Sequence, residues 1–364
     1  MPVSTRPQRT HPGISSATSK RRKPSQSTKP IYRIPQNNHL LITTPGVVYA
    51  WDTLGVHKIF NSSRQGILAA KASKDGSQVL AVANSQVVVL HDCKRDREES
   101  WGLSSPDGHF RLLEYTSDAK SLFLSTTLAG AIQCYSVREA RMSRPGEEHP
   151  SPPTVLAVNA NAQLLISASE NPPVTYIQNV NLGTPAHKLE PSASTTPVVV
   201  AGFHPDRPDI FLLGFKDGTL AAYDATKMAR KNGVRMDVNS SLDMEGQAGE
   251  ISSFKRLHRT TNKSSVGSGY SYTTSEYDQS VSPVHDRGVG VSAAAFVPGT
   301  LSTAVSVGSD GQCHIVDFAD NGVVLKTWNL HAHATSVAIL QSRKMAGPSR
   351  VKTDQPDPQQ EQKD

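Results

Sequence analysis

The most concentrated set of chemistry-bearing residues in this chain is a basic run near residue 20. It consists of Lys20, Arg21, Arg22 and Lys23. Four consecutive cations in an extended segment can bind the acidic groove of a nuclear import receptor or the phosphates of a nucleic acid. We favour nuclear localisation. The alternatives are a nonspecific RNA or DNA contact and a run that only aids solubility.

A second set combines cations with tyrosines in the stretch 255–272. Its members are Lys255, Arg256, His258, Arg259, Tyr270 and Tyr272. Charges beside aromatic rings suit a protein interface or contacts with phosphates. The alternative is a solvated loop without a binding role.

Two aspartates and two histidines could in principle hold a proton or a metal. Asp217 and Asp310 each precede a glycine, where an aspartate normally accepts hydrogen bonds from the amides of a turn. His331 and His333 are spaced to share one face of a strand, but the sequence offers them no further metal ligand. We therefore expect structural hydrogen bonds from all four residues.

Enzyme signatures are absent from the sequence. It contains no Gly-x-Ser-x-Gly elbow, no phosphate-binding P-loop and no His-Glu-x-x-His pair. The three cysteines, Cys93, Cys134 and Cys313, are too widely separated to indicate a disulfide framework or a zinc site. The sequence predicts a protein that is not an enzyme, with no catalytic residue, metal, cofactor or small-molecule substrate.

The charge of the chain is concentrated in its first residues. Residues 1–51 contain eight Lys and Arg and no acid, although the whole chain has a net charge of only +6. We expect residues 1–36 to be a disordered basic arm and 342–364 a disordered polar tail. Neither a membrane helix nor a signal peptide is indicated. The nucleus, the cytoplasm or both are the expected locations.

Between these segments, apolar strands end at nearly regular intervals. The endings are Trp51-Asp52, His91-Asp92, Tyr135-Ser136, Tyr176-Ile177, Tyr223-Asp224 and Val316-Asp317. They are separated by 40, 44, 41, 47 and 93 residues. A period of about 40 to 45 residues is typical of β-propellers, whose blades have four strands each.

The second repeat shows the strand pattern most clearly. Residues 67–72, 79–82 and 87–90 are apolar runs, and Asp75-Gly76 separates the first two of them. An Asp-Gly pair between two such runs is a strong hairpin signal. This pattern predicts an all-β fold.

The chain resembles the WD40-repeat proteins over roughly residues 38–340. The resemblance rests on Trp51-Asp52, on the Phe-x-Pro turns at 203–205 and 296–298, and on Gly-Ser-Asp-Gly at 308–311. In that family a buried network joins the turn Asp to a His, a Ser or Thr and the terminal Trp. Here only Asp217 and Asp310, Trp51 and the Gly108-His109 pair match it, so the repeats are degenerate.

The chain ends suggest how the ring would close. Residues 40–60 provide three strands without a first one, and Thr335–Leu340 resembles an isolated first strand. Joining them gives a propeller of six blades within 37–341, with 227–288 as a long loop insertion. Seven blades are the alternative, in which residues 249–258 would open a further strand.

The resemblance implies a non-catalytic scaffold for protein–protein interactions, and we expect it to act in a nuclear multiprotein complex. One alternative is an RNA- or chromatin-associated factor that uses the basic arm and the insertion. Another is a substrate receptor of a ubiquitin ligase, because Tyr135-Ser136-Val137-Arg138 weakly resembles the Trp-Asp-x-Arg ending of such receptors. The identity of the protein partners does not follow from the sequence.

Overall fold

The protein is a β-propeller of six blades. In a computed structural model, the described residues are 33–35, 39–62, 66–103, 105–180, 186–229, 245–258, 290–319, 322–330, 332 and 334–339. The prediction of an all-β propeller with six blades is confirmed. Among the described residues, no helix has the length and apolar character to cross a membrane.

In the part of the chain that the structure describes, the first blade has three strands, and each of the other five has four. Blade 1 contains β1 (Leu40–Thr43), β2 (Val47–Asp52) and β3 (Gly55–Asn61). Blade 2 contains β4 (Ala69–Ala72), β5 (Val79–Ala83), β6 (Val87–Asp92) and β7 (Arg97–Gly102). Blade 3 contains β8 (Phe110–Tyr115), β9 (Ser121–Thr126), β10 (Gln133–Ser136) and β11 (Arg141–Ser143).

The remaining blades follow in chain order. Blade 4 contains β12 (Val155–Val158), β13 (Leu164–Glu170), β14 (Pro173–Asn179) and β15 (His187–Glu190). Blade 5 contains β16 (Val198–Phe203), β17 (Ile210–Phe215), β18 (Leu220–Ala229) and β19 (Glu245–Phe254). Blade 6 contains β20 (Val291–Phe296), β21 (Thr303–Gly308), β22 (Gln312–Asp317) and β23 (Val323–Asn329).

The regular strand endings have a local physical cause. At four of them the terminal aspartate accepts a hydrogen bond from the amide two residues later. The pairs are Asp52 with Leu54 at 2.8 Å, Asp92 with Lys94 at 2.9 Å, Asp224 with Thr226 at 2.9 Å and Asp317 with Ala319 at 2.9 Å. Such a side chain satisfies a turn amide and starts the turn into the outer strand.

The fourth ending was wrongly placed at Tyr176-Ile177. In blades 2, 3 and 6, the first residue of the second strand pairs with the last residue of the third strand. In blade 3, for example, Ser121 pairs with Ser136. In blade 4, Leu164 faces Asn179. The strand ending is therefore Gln178-Asn179, two residues later. The apolar pattern did not indicate it, because both residues are polar.

The core lies between the blades rather than within them. A buried apolar cluster joins each pair of successive blades from the first to the sixth. Representative pairs are Ile59 with Leu80, Leu90 with Leu122, Phe123 with Leu165, Ile166 with Phe215, and Leu212 with Val316. Both faces of the middle blades are therefore covered, which explains their continuous apolar strands.

Part of the predicted insertion 227–288 belongs to the propeller, which corrects that assignment. Strand β19 pairs antiparallel with β18, with Leu220 opposite Phe254, and is the outer strand of blade 5. It also pairs in parallel with β15, so that blades 4 and 5 form one eight-stranded sheet. Small and polar residues such as Ser252 and Ser253 concealed the strand, since outer strands need less apolar cover. Residues 259–288 lie outside the described part.

The predicted closing strand at Thr335–Leu340 is not formed in the described residues. Residues 334–339 have no regular secondary structure, and Leu340 lies outside the described part. Within the described residues, blade 1 therefore consists of three strands, and the first strand that we predicted at its inner edge is not seen. The composition of residues 335–340 alone does not determine whether this segment pairs with blade 1.

The chain just before blade 1 contacts the propeller. Ile34, which the sequence placed in the arm 1–36, is buried in the cluster between blades 1 and 2. Its amide donates to Gln78 Oε1 at 2.7 Å, and Gln78 Nε2 donates to its carbonyl at 2.8 Å. One side chain thus satisfies both backbone groups of Ile34.

Candidate functional site

A buried polar cluster that joins two neighbouring blades is centred on His258. This side chain is fully buried just before the sixth blade. Its Nδ1 lies 3.0 Å from Asp310 Oδ1, and its Nε2 lies 2.6 Å from Ser306 Oγ. Because an ionised carboxylate can only accept, Nδ1 carries the proton and the Ser306 hydroxyl donates to Nε2.

The electrostatics of the cluster favour neutral imidazoles. Burial lowers the pKa of His258, and the hydrogen bond with Asp310 only partly opposes this effect. Burial also lowers the pKa of His314, whose ring centroid lies 4.8 Å from that of His258. His314 Nδ1 contacts Thr327 Oγ1 at 2.8 Å. The neutral forms hold the strands together without a buried charge on the rings.

The cluster contains side chains of the types that bind metal ions. The side chains of His258, Asp310 and His314 present ligand atoms within 4.8 Å of one another. Both nitrogens of His258 are already hydrogen-bonded, which leaves Asp310 Oδ2 and His314 Nε2 without partners. Structural zinc sites use four protein ligands and catalytic ones three. The cluster therefore fits a structural hydrogen-bond network better than a metal centre.

Related networks precede two other blades. His149 lies before blade 4, with Nε2 at 2.9 Å from Ser167 Oγ and Nδ1 at 3.2 Å from Ser169 Oγ. Before blade 5, Ser194 takes the histidine's place and donates to Asp217 Oδ2 at 3.0 Å. Each of these side chains forms hydrogen bonds between the chain segment that precedes a blade and the strands or turns of that blade.

The aspartates predicted to form turns do so. Asp217 Oδ1 accepts from the amide of Thr219 at 3.0 Å, and Asp310 Oδ1 accepts from that of Gln312 at 3.0 Å. The intervening Gly218 and Gly311 have φ values of 85° and 73°, a conformation that glycine adopts without strain. The turn role expected for both aspartates is thereby confirmed.

The predicted histidine of the network was wrong. His109 is exposed, and its hydrogen bonds are made by its backbone: its amide donates to Thr127 Oγ1 at 2.9 Å and its carbonyl accepts from the amide of Thr127 at 2.9 Å. The sequence missed His149 and His258 because neither follows a glycine. His258 also lies 48 residues from Ser306 in the chain, so no local pattern joins them.

The predicted interaction residues fall into three groups. Lys255 and Arg256 are exposed in the turn after β19. His258 is buried in the network and is unavailable to a partner, which corrects its assignment to a surface. The other members, Arg259, Tyr270 and Tyr272, lie outside the described residues. So do the basic run Lys20, Arg21, Arg22 and Lys23, and the two histidines for which we expect structural hydrogen bonds, His331 and His333.

The described surface has one strand of unusual composition. All seven residues of β23, the outer strand of blade 6, are exposed, and they include Val323, Leu325 and Trp328. The equivalent strand of blade 2, β7, is also exposed but has the sequence Arg-Glu-Glu-Ser-Trp-Gly. Outer strands usually carry charge, which prevents edge-to-edge association. An apolar outer strand is therefore a candidate interaction surface.

The segment Tyr135–Arg138, whose sequence suggested a ubiquitin-ligase receptor, packs partly against its own blade and the preceding one. Tyr135 is buried, and its ring stacks on Trp101 with centroids 4.1 Å apart and an interplanar angle of 18°. Arg138 is exposed. The other two residues of this ending, Ser136 and Val137, are half-buried.

Comparisons with known proteins agree with the architecture. No family model matches the chain, and no curated protein matches it. Among solved structures, a chain of the crystal structure of the Mitotic Checkpoint Complex aligns with a TM-score of 0.52 and 14% sequence identity. The alignment covers 88% of this chain and 77% of that one. In total 1462 solved chains match, so the likeness identifies a widespread fold and not one activity.

Proposed function

We propose that this WD40-like propeller is a non-catalytic scaffold that binds protein partners, and that it acts within a nuclear complex. The proposal rests chiefly on the exposed apolar strand β23. An exposed strand can bind an extended segment of another protein through its backbone, while neighbouring side chains provide selectivity. Both ring nitrogens of the buried His258 and of the buried His149 are occupied by hydrogen bonds to neighbouring side chains.

The nuclear part of the proposal rests on the basic run 20–23. Its four cations suit an import receptor, and the acid-free sequence around them strengthens the local positive potential. An RNA- or DNA-associated role for the same run is the second candidate. Its affinity would fall steeply as salt increases, because bound cations release counterions from the phosphates.

One cellular experiment addresses both parts. The full chain, fused to a fluorescent tag, would be compared with the double variant Val323→Asp/Leu325→Asp and with a variant in which residues 20–23 are alanine. We expect the first variant to lose a defined set of co-purifying proteins and the second to leave the nucleus. Ser100→Asp, on the exposed strand β7, is the matched control.

An unchanged set of co-purifying proteins in Val323→Asp/Leu325→Asp would contradict the binding role of β23. Unchanged nuclear fluorescence after replacement of residues 20–23 would contradict the import role. Because the substituted residues of β23 are exposed, circular dichroism should show an intact fold in both variants.

A further inference from the structure

Hydrogen bonds connect the turns between the first and second strands of neighbouring blades. We call these segments the first turns, and from blade 2 to blade 6 they are residues 73–78, 116–120, 159–163, 204–209 and 297–302. The Ser117 hydroxyl of blade 3 donates to the carbonyl of Ala160 in blade 4. Asn159 Nδ2 in turn donates to the carbonyl of Pro208 in blade 5 at 3.1 Å. The first turns of blades 3, 4 and 5 are thereby joined.

The link between blades 5 and 6 is centred on a buried histidine. His204 Nε2 donates to the carbonyl of Thr300 at 2.9 Å. Its Nδ1 accepts from the amides of Asp206 and Arg207, each at 3.1 Å, which fixes this tautomer. The amide of Gly299 also donates to Asp206 Oδ2 at 2.8 Å. These contacts join the first turns of blades 5 and 6.

Blades 2 and 3 are joined beside their first turns by an ion pair between first strands. Lys71 Nζ in β4 lies 2.7 Å from Glu114 Oε1 in β8, and both residues are half-buried. A partly exposed ion pair contributes little to stability, but its short distance shows that these strands lie side by side. Side-chain contacts thus link each blade from 2 to 5 to the next one in the chain.

Blade 1 has a segment at the sequence position of a first turn. Strand β1 corresponds to the second strand of the other blades, because β2, which follows it, carries the first of the regular strand endings. Pro205 and Pro298 lie five residues before the second strands of blades 5 and 6, and Pro35 lies five residues before β1 (205 to 210, 298 to 303 and 35 to 40). The segment 33–35 therefore matches the start of a first turn.

Ile34 makes the contacts expected of a first turn. Like His204, it directly precedes the proline and bonds to the first turn of the next blade. Its amide donates to Gln78 Oε1 at 2.7 Å, and its carbonyl accepts from Gln78 Nε2 at 2.8 Å. Its side chain is buried in the apolar cluster between blades 1 and 2. Polar and apolar contacts thus hold the same residue against blade 2.

Gln78 has an unusual backbone conformation for a residue with a side chain. It is buried, and its φ of 66° lies in the left-handed region that favours glycine. Such a strained residue persists only where the surrounding structure requires it. Glycine would relieve the strain here but would leave both backbone groups of Ile34 without this partner. The glutamine side chain is therefore the feature that this position retains.

We infer that residues 33–35 are the first turn of blade 1, and that Ile34 and Gln78 form the first link of a belt of contacts that runs from blade 1 to blade 6. We call this series the turn belt. Its links are Ile34–Gln78, Lys71–Glu114, Ser117–Ala160, Asn159–Pro208 and His204–Thr300. The turn belt is a conformational device, separate from partner binding by β23, that fixes the spacing of consecutive blades. Loss of the first link lets blade 1 open locally while the other blades stay closed.

Hydrogen exchange of the full chain, measured by mass spectrometry, would test this inference. Gln78→Asn provides a residue that tolerates positive φ but is too short to reach both backbone groups of Ile34. We expect the amides of β2 and β3 to exchange about tenfold faster in this variant, while those of β17 and β18 in blade 5 keep their rates. Gln86→Asn, at an exposed glutamine of the same blade, is the control and should change neither set.

A second variant tests whether the two residues act together. Ile34→Ala should also speed exchange in β2 and β3, and Ile34→Ala/Gln78→Asn should be accelerated by less than the product of the two single effects. Fully multiplicative effects would mean that the two residues act independently and would refute the link. Unchanged exchange in β2 and β3 would show that the link is not formed. Equal acceleration in blade 5 would show that it has no specific effect on blade 1, and either result would overturn the inference.

Discussion

At the residue scale, buried hydrogen bonds hold each blade to the chain segment that enters it. His258 joins Asp310 in a turn to Ser306 in a strand, so one imidazole connects three parts of the molecule. Gly308 packs so closely that an added Cβ would lie 2.2 Å from His258 Nδ1. The network therefore needs both the polar partners and a glycine beside them.

Removing the Asp310 carboxylate should destabilise the protein strongly. Asp310→Ala would leave His258 Nδ1–H buried without an acceptor, at a cost of about 2 kcal/mol. Asp75→Ala is the matched control, because Asp75 accepts from the amide of Ser77 at 2.9 Å in an exposed Asp-Gly turn. Its cost should be below about 1 kcal/mol. Urea unfolding followed by circular dichroism would measure both, and equal losses would refute the special role of the network.

At the element scale, β19 is the strand that sequence patterns misassigned. Its Phe254 side chain contacts Phe318 of blade 6, with ring centroids 5.3 Å apart at 65°. Phe254 also packs against the cluster between blades 5 and 6. An outer strand thus contributes to the cohesion of two blades, which a loop insertion would not.

Shortening Phe254 should therefore weaken the fold. Phe254→Ala removes an aromatic ring that is partly buried, and we expect a loss of about 2 kcal/mol in the free energy of unfolding. Ile251, on the same strand, is 42% exposed, so Ile251→Ala should cost about 0.5 kcal/mol. Chemical denaturation would measure the free energy of unfolding of both variants. Similar small losses would indicate that β19 is not packed as described.

At the scale of the whole molecule, buried histidines make the fold sensitive to acid. Burial lowers the pKa of His149, His204, His258 and His314. The unfolded chain binds protons at these side chains at a higher pH than the folded protein does. Acidification below about pH 6.5 therefore favours unfolding.

His149 provides the clearest test of this pH dependence. Burial lowers its pKa from 6.5 to about 4, so its neutral form should contribute about 3 kcal/mol that is lost as the pH falls through this interval. His149→Gln cannot take up the proton. Its unfolding free energy should therefore change less between pH 7 and pH 4, by about 1.4 kcal/mol per pH unit in the steepest region. His109→Gln, at an exposed histidine, is the control. Equal slopes of unfolding free energy against pH in the unaltered protein, His149→Gln and His109→Gln would exclude a role of His149 in the pH dependence.

Local interactions explain what the sequence predicted by itself. The strands, the Asp-Gly turns and the repeat interval depend on neighbours a few residues apart, such as Asp310 and Gln312, so residue order determined them. The partners of His258 depend on residues 48 and 52 positions away. Only the tertiary structure decided these contacts, because packing between blades sets which distant side chains meet.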